Sequence, residues 1–218
     1  GSLALGLIVF PPLHLLAGSR ATARRWSRWL VHQSFRAFIG FNYRAGVLTF
    51  EAAGDSSLMD GKPRFIIANH PSLIDVVCLI SRLPDAFCIV KTAAWENPFM
   101  GLVVRATGYI PNDDPTQLIE NCVRLLRQGE TLVMFPEGTR TVPGNPLRFR
   151  RGAANIALRA GMVLTPVFID VEPETLTKGE AWYAIPDRRV HVRMEVGEDI
   201  DPSDVVSDPT TERLAARE

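Results

Sequence analysis

From Val47 onward, short apolar runs rich in strand-forming residues alternate with segments of helical periodicity, and this alternation constrains the fold of the 218-residue chain most strongly. The strand-like runs are 47–52, 64–68, 86–91, 131–135, 163–170 and 189–196; the helical patterns between them are 72–83, 98–107, 116–128 and 153–160. Strands separated by helices of this length predict an α/β domain: a mostly parallel central sheet flanked by helices. Punctuation agrees, with Gly129 and Gly161 following two of the helical patterns and Pro115 opening a third. With 46% hydrophobic residues the chain can bury a sizeable core, which excludes disorder.

Formal charge sums to zero, 24 Lys and Arg against 24 Asp and Glu, and this argues against nucleic acid as a partner. The zero is a cancellation. Residues 1–50 hold six arginines and no acid, whereas the last 24 residues hold eight acids and two arginines. Residues 3–17 carry no formal charge and are mostly apolar, too short for the roughly 20 residues of a spanning helix. A start of Gly-Ser rather than Met reads as a trimmed one, making this segment the expected end of a longer membrane anchor. Over 21–41, Trp26, Trp29, Leu30, Ala37, Phe38 and Phe41 recur at helical spacing among Arg24, Arg25, Arg28 and Arg36. Tryptophan beside arginine suits an anionic headgroup layer; the competing reading packs the aromatic stripe on the core and exposes the arginines. Three regions are expected: a membrane-associating helical segment (1–44), the α/β domain (45–200) and an acidic tail (201–218). Cys78, Cys88 and Cys122 lack paired spacing and read as reduced core thiols, neither a disulfide framework nor a zinc site.

In such sheets the chemistry collects in loops at the carboxyl ends of strands. One loop, after the run 64–68, reads Asn69-His70-Pro71-Ser72-Leu73-Ile74-Asp75. On one continuous helix His70 and Asp75 would diverge; Pro71 keeps His70 in the loop and lets a helix start near Ser72. Ser72 is then the N-cap and Asp75 its third helical position, so the carboxylate can reach the imidazole and make His70 a general base. Taken alone, the same residues also fit an ordinary capping box beside a structural histidine. A second loop, after 131–135, reads Pro136-Glu137-Gly138-Thr139-Arg140. Gly138 permits close approach of a ligand, and the Arg140 fork matches phosphate or carboxylate, with Arg148, Arg150 and Arg151 following. A surface ion pair between Glu137 and Arg140 is the plain alternative.

Asn-His-x-Ser-x-x-Asp followed by Phe-Pro-Glu-Gly-Thr-Arg, with Glu137 67 residues after His70, resembles the glycerolipid acyltransferase family. The likeness extends over about 45–170 and includes Phe149-x-x-Gly152 and Thr165-Pro166-Val167. It implies transfer of an acyl group from a thioester, on coenzyme A or an acyl carrier protein, to the hydroxyl of a lyso-lipid such as 1-acylglycerol-3-phosphate. It further implies His70 and Asp75 as a catalytic dyad without an acyl-enzyme, and neither metal nor resident cofactor. Glu137, Gly138, Thr139 and Arg140 match the acceptor-binding motif; Asn69, Ser72, Lys91 and Arg151 join them as expected substrate-binding residues. With the arginine-rich flank, the expected location is the cytoplasmic face of a membrane, that of a bacterial inner membrane. Backbone N–H groups near Gly138 or the start of the Ser72 helix are the expected oxyanion donors.

One departure stands out. The family pattern Gly-x-Ile-x-x-Asp-Arg reads here Gly108-Tyr109-Ile110-Pro111-Asn112-Asp113-Asp114, with Asp114 where a phosphate-binding arginine is expected. Either Arg140 and the 148–151 cluster take over the phosphate, or the acceptor is an amino- or glyco-lyso-lipid. A lipid or thioester hydrolase using the same dyad, and a non-catalytic lipid-binding protein, are the other classes to separate by experiment.

Overall fold

The computed structural model describes residues 9–142, 144–181, 183–184 and 186–205. Residues 3–8 of the apolar segment and 206–218 of the acidic tail therefore lie outside the described residues.

Two helices lead the chain, α1 (Phe10–Leu16) and α2 (Arg20–Arg44). There follow β1 (Leu48–Ala53), a 3-10 turn (Asp55–Met59), β2 (Phe65–Ala68), α3 (Ile74–Ile80), β3 (Ala86–Val90), α4 (Thr92–Glu96), α5 (Gly101–Ala106) and β4 (Ile110–Pro111). The remainder is α6 (Pro115–Arg127), β5 (Thr131–Met134), α7 (Gly152–Ala160), β6 (Leu164–Glu172), β7 (Val190–Val196) and α8 (Pro202–Val205). The strands form one seven-stranded sheet in the order β1-β7-β6-β2-β5-β3-β4. All pairs are parallel except β6–β7, so β1 and β7 run against the other five.

Central β2 reads Phe-Ile-Ile-Ala because helices cover both its faces. Phe65 points, with Phe87 and Leu132, into a core closed by Cys122, Leu125 and Leu126 of α6 and Ile156 of α7. Ile66 and Val133 point the other way, to Cys78, Leu79 and Ile80 of α3 and Val31 of α2. Five strands thus end at the same edge, and the loops after β2, β5, β3 and β4 open side by side there. The link from β5 to α7 crosses this edge with no helix or strand among its described residues.

The helical and strand patterns of the sequence reappear with shifted ends, and the shifts have local causes. Instead of 98–107, α5 spans Gly101–Ala106, because Asn97 Oδ1 accepts the N–H groups of Phe99 (2.8 Å) and Met100 (3.0 Å) and holds an Asx turn ahead of it. β6 continues past 170 to Glu172, because β7 pairs with it while Asp170 and Glu172 stay exposed on its open face. β4, only two residues long, carries no legible pattern.

The long helix α2 corrects the reading of its arginines. Ser19 caps it, accepting from the Thr22 N–H at 3.1 Å. The buried stripe is Ala23, Ser27, Arg28, Val31 and His32, while Trp26, Trp29, Phe38 and Phe41 are exposed. Arg28 is therefore no surface charge: at 2% exposure it donates Nε–H to the Thr107 carbonyl (2.8 Å) and pairs with Asp85 (3.2 Å) and Glu130 (2.7 Å). Nor is the aromatic stripe the core stripe. Small residues let α2 lie close to the sheet helices, and the ion pairs fix its position along them.

His32, 5% exposed, donates Nδ1–H to the Ile80 carbonyl at 2.9 Å. Burial lowers its pKa below the ordinary 6.5, the Ile80 bond opposes this, and the Arg36 and Arg82 charges add to the lowering. The folded chain thus holds His32 neutral while the unfolded chain binds a proton near 6.5, so this share of stability is present above that pH and lost below it. Urea midpoints at pH 7.5 and 5.5 should show a loss on acidification that His32→Gln reduces; equal losses in both proteins would remove His32 as the cause.

Candidate active site

At the end of β2, Asn69 continues the sheet with its side chain. Its Nδ2 donates to the Ile169 carbonyl and its Oδ1 accepts the Ile169 N–H, both at 2.7 Å, and the residue is 8% exposed. The amide therefore ties β2 to β6 one residue beyond the ladder, and the chain leaves the sheet at His70.

Pro71 keeps His70 off the helix, as the sequence predicts, and the imidazole meets Asp75. Nδ1 lies 2.9 Å from Asp75 Oδ2 and 3.1 Å from Oδ1. Asp75 is fully buried, and its Oδ2 also accepts the Ser72 N–H at 3.0 Å. A carboxylate at Nδ1 fixes the tautomer and leaves Nε2 as the ring atom able to take a proton. One face of the ring rests on Phe135, centroids 4.4 Å apart, which walls that side with apolar surface.

The helix begins two residues later than expected, at Ile74 rather than Ser72, yet Ser72 acts much as a capping residue would. Its Oγ accepts the Ile74 N–H (3.3 Å) and donates to the Thr175 carbonyl (2.7 Å). The N–H groups of Ser72, Leu73 and Ile74 bond to Asp75, Leu176 and Ser72 Oγ, and that of Gly138 bonds to the Phe135 carbonyl. These four amides are thus engaged internally.

The loop after β5 clasps the backbone of His70. Glu137, half-buried, accepts the His70 N–H at 2.8 Å and the Thr141 hydroxyl at 2.9 Å, while the Thr141 N–H donates to the His70 carbonyl at 2.6 Å. Glu137 and Arg140 do not pair with each other. Arg140 Nη1 instead donates to the Leu176 (2.6 Å) and Thr177 (2.9 Å) carbonyls, fastening the chain that follows β6 against the site. Thr139 stands half-buried beside Gly138; Arg151 occupies the N-cap position of α7. Lys91 is exposed at the end of β3, two strands from β2, or about 10 Å along the sheet.

Asp114 has a structural employment that the motif comparison missed. It is the N-cap of α6, its Oδ1 accepting from Thr116 (2.8 Å) and Gln117 (3.1 Å), with Pro115 at the first helical position. Sequence reasoning also passed over Thr141 and the 173–177 segment. Nothing in their composition marks them, because their role is to bond backbone groups that only the fold brings together. Among the described residues no cluster of His, Cys, Asp and Glu could hold a metal ion.

The acyltransferase family model matches residues 49–170, more than half of the chain. A chloroplastic 1-acyl-sn-glycerol-3-phosphate acyltransferase of Arabidopsis thaliana is 30% identical over 110 residues, covering 48% of this chain and 31% of its own. The 1-acyl-sn-glycerol-3-phosphate acyltransferase of Helicobacter pylori is 34% identical over 117 residues, 50% of this chain and 49% of its own. The chain thus spans about a third to a half of the length of these relatives. Among solved structures, the 1-acyl-sn-glycerophosphate acyltransferase PlsC of Thermotoga maritima shares the fold: TM-score 0.69, 19% identity, 98% of this chain and 87% of that one.

Replacing Asn69 by Ala strands the Ile169 N–H and carbonyl in a dry interior, and unfolding should become easier by about 2–4 kcal/mol. Equilibrium denaturation measures this; a change within 0.5 kcal/mol, the ordinary scatter of surface substitutions, would show that the clamp is dispensable.

Proposed function

The chain belongs to the acyltransferase family, and from that premise we propose that it moves an acyl group from a thioester to the hydroxyl of a lyso-lipid, 1-acylglycerol-3-phosphate foremost. The observation that carries this reading is the contact between the His70 ring and the buried Asp75 carboxylate, 2.9 Å at Nδ1. Nε2 of His70 removes the acceptor's hydroxyl proton as the oxygen attacks the thioester carbonyl. The tetrahedral intermediate collapses, the C–S bond breaks, and the proton on Nε2 passes to the departing thiolate. An ester and a free thiol result, with His70 returned to its starting state. Asp75 orients the ring and stabilises the imidazolium through both steps.

A direct transfer fits the cysteines as well. Cys78, Cys88 and Cys122 are all buried, and burial pushes each thiol up to about 12, so none offers a thiolate for a covalent acyl intermediate. The donor is an acyl thioester of coenzyme A or of an acyl carrier protein.

The membrane surface is the proposed working location, on its cytoplasmic side. Among the described residues no helix is long and apolar enough to cross a membrane. What supports attachment is the outer face of α1 and α2: Leu15, Leu16, Trp26, Trp29, Phe38 and Phe41 are exposed, and Arg20, Arg25, Arg36 and Arg44 stand exposed on the same helix pair. Leu13, Trp26, Trp29 and Leu30 line a groove there. Such a surface sinks its rings to headgroup depth while the guanidinium groups meet lipid phosphate.

Three measurements test these statements. His70→Ala should lower transfer of a radiolabelled acyl group by at least about 10²–10⁴-fold, and Asp75→Asn should come close to it; full activity in His70→Ala would exclude the base. Release of free fatty acid at a rate indifferent to added lyso-lipid would identify a hydrolase instead. Trp26→Glu with Trp29→Glu should abolish co-flotation with anionic vesicles, and unchanged flotation would reject this face as the attachment surface.

A further inference from the structure

The pairing of β2 with β5 ends at Ile67 and Met134, and its pairing with β6 ends at Ala68 and Val167. His70 stands beyond both ladders, so its placement depends on what replaces them. Toward β6 the replacement is the Asn69 amide. Toward β5 it is the turn 137–141, which takes both main-chain polar groups of His70. The N–H donates to Glu137 Oε1 at 2.8 Å, and the carbonyl accepts the Thr141 N–H at 2.6 Å.

Thr141 also closes this turn with its side chain. Its hydroxyl lies 2.9 Å from each oxygen of the Glu137 carboxylate, so one proton shared between them holds the group against rotation about its last bond. That torsion is otherwise soft. Arg140 directs its Nη1 protons to the Leu176 and Thr177 carbonyls, so the side chain that aims Glu137 at His70 is a hydroxyl. Beyond Thr141 the described residues up to Arg151 are all exposed, which makes it the last inward-facing residue before α7.

The ring has its own anchor, Asp75 at Nδ1. With the main chain held at both polar groups and the side chain held at Nδ1, Nε2 has one defined place; loosening either anchor lets the ring tilt. A displacement on the order of 1 Å between reacting groups can cost about a hundredfold in rate.

We infer that Thr141 is a positioning residue of the transfer reaction: by orienting Glu137 against the His70 main chain, its hydroxyl sets where Nε2 meets the acceptor's hydroxyl. This rests on the acyl-transfer reading above. The competing role is contact with substrate, since Thr141 also lines a small cleft with Pro71, Thr175 and Thr177. Kinetics separates the two. A lost ground-state contact raises KM, whereas a displaced base lowers kcat and leaves KM alone.

The test uses a coenzyme A thioester as donor and 1-acylglycerol-3-phosphate as acceptor. Thr141→Val keeps the shape and removes the hydroxyl. It should lower kcat about tenfold to a hundredfold with KM for either substrate within about twofold, and Thr141→Ser should recover most of the loss. Added to Glu137→Ala, Thr141→Val should change kcat no further, because both act through one contact. In the protein without substrates, hydrogen exchange at the His70 amide should quicken about tenfold in Thr141→Val and stay unchanged in Thr141→Ser. A kcat within about twofold of wild type, a loss confined to KM, or unaltered exchange in Thr141→Val overturns the assignment and leaves the acyl-transfer reading standing. Should Thr141→Val not fold, a Glu137→Ala kcat within about twofold of wild type overturns it equally. A wild-type chain that transfers no acyl group to the lyso-lipid removes the acyl-transfer reading itself, and this assignment with it.

Discussion

A carboxylate with no exposure to water organises this molecule. Asp75 can be buried only because donors surround it, and those donors come from its own neighbourhood: the His70 ring and the N–H groups of Ser72 and Val76. Satisfying this carboxyl group fixes the path of 69–75, and that path in turn places Ser72 against Thr175 and Leu73 against Leu176. The imidazole orientation is thus a by-product of solving a solvation problem. Glu137 repeats the principle on the neighbouring strand, gathering the His70 N–H and the Thr141 hydroxyl.

The two parts of the sequence that read most clearly are those in which local chemistry and tertiary packing agree. Phe65–Ala68 is apolar at every position, and only a strand buried on both faces uses such a run. His70-Pro71-Ser72 forces a loop before a helix whatever lies around it. Arg28 was illegible for the opposite reason. An arginine among tryptophans on a helix reads as exposed, and only Asp85, Glu130 and the Thr107 carbonyl, brought from 57 to 102 residues away, make its burial tolerable. Asp114 stands where the motif has an arginine, and the following Pro115 advertises its capping role. The bonds of Thr141 and of the chain after β6 involve main-chain atoms, which every residue type supplies, so their partners leave no mark in the sequence.

The two ends of the sheet have different duties. On the β4 side, buried apolar contacts with α6 and α7 stabilise the parallel strands. On the β1 side the sheet turns antiparallel, its open face carries mostly polar side chains beside the exposed Phe168, and its covered face packs against α2 and α3. Through Arg28 and His32 that same α2 is bonded to the Thr107 carbonyl and to the end of α3, so the helix pair with the exposed aromatic rings is continuous with the element that carries Asp75. The position of the exposed aromatic face is therefore coupled to that of the His70–Asp75 pair.

The long irregular connection from β5 to α7 has a consequence for divergence. His70 and Asp75 stand in the loop and the helix that follow the best-buried strand, where substitutions are costly, whereas the described residues from Thr139 to Arg151 form no helix or strand and are mostly exposed. The His70–Asp75 pair and the arginines of 148–151 thus lie on separately mutable portions of the chain. Drift among the described residues from 144 to 151 can therefore proceed without touching the side-chain bonds that hold His70 and Asp75.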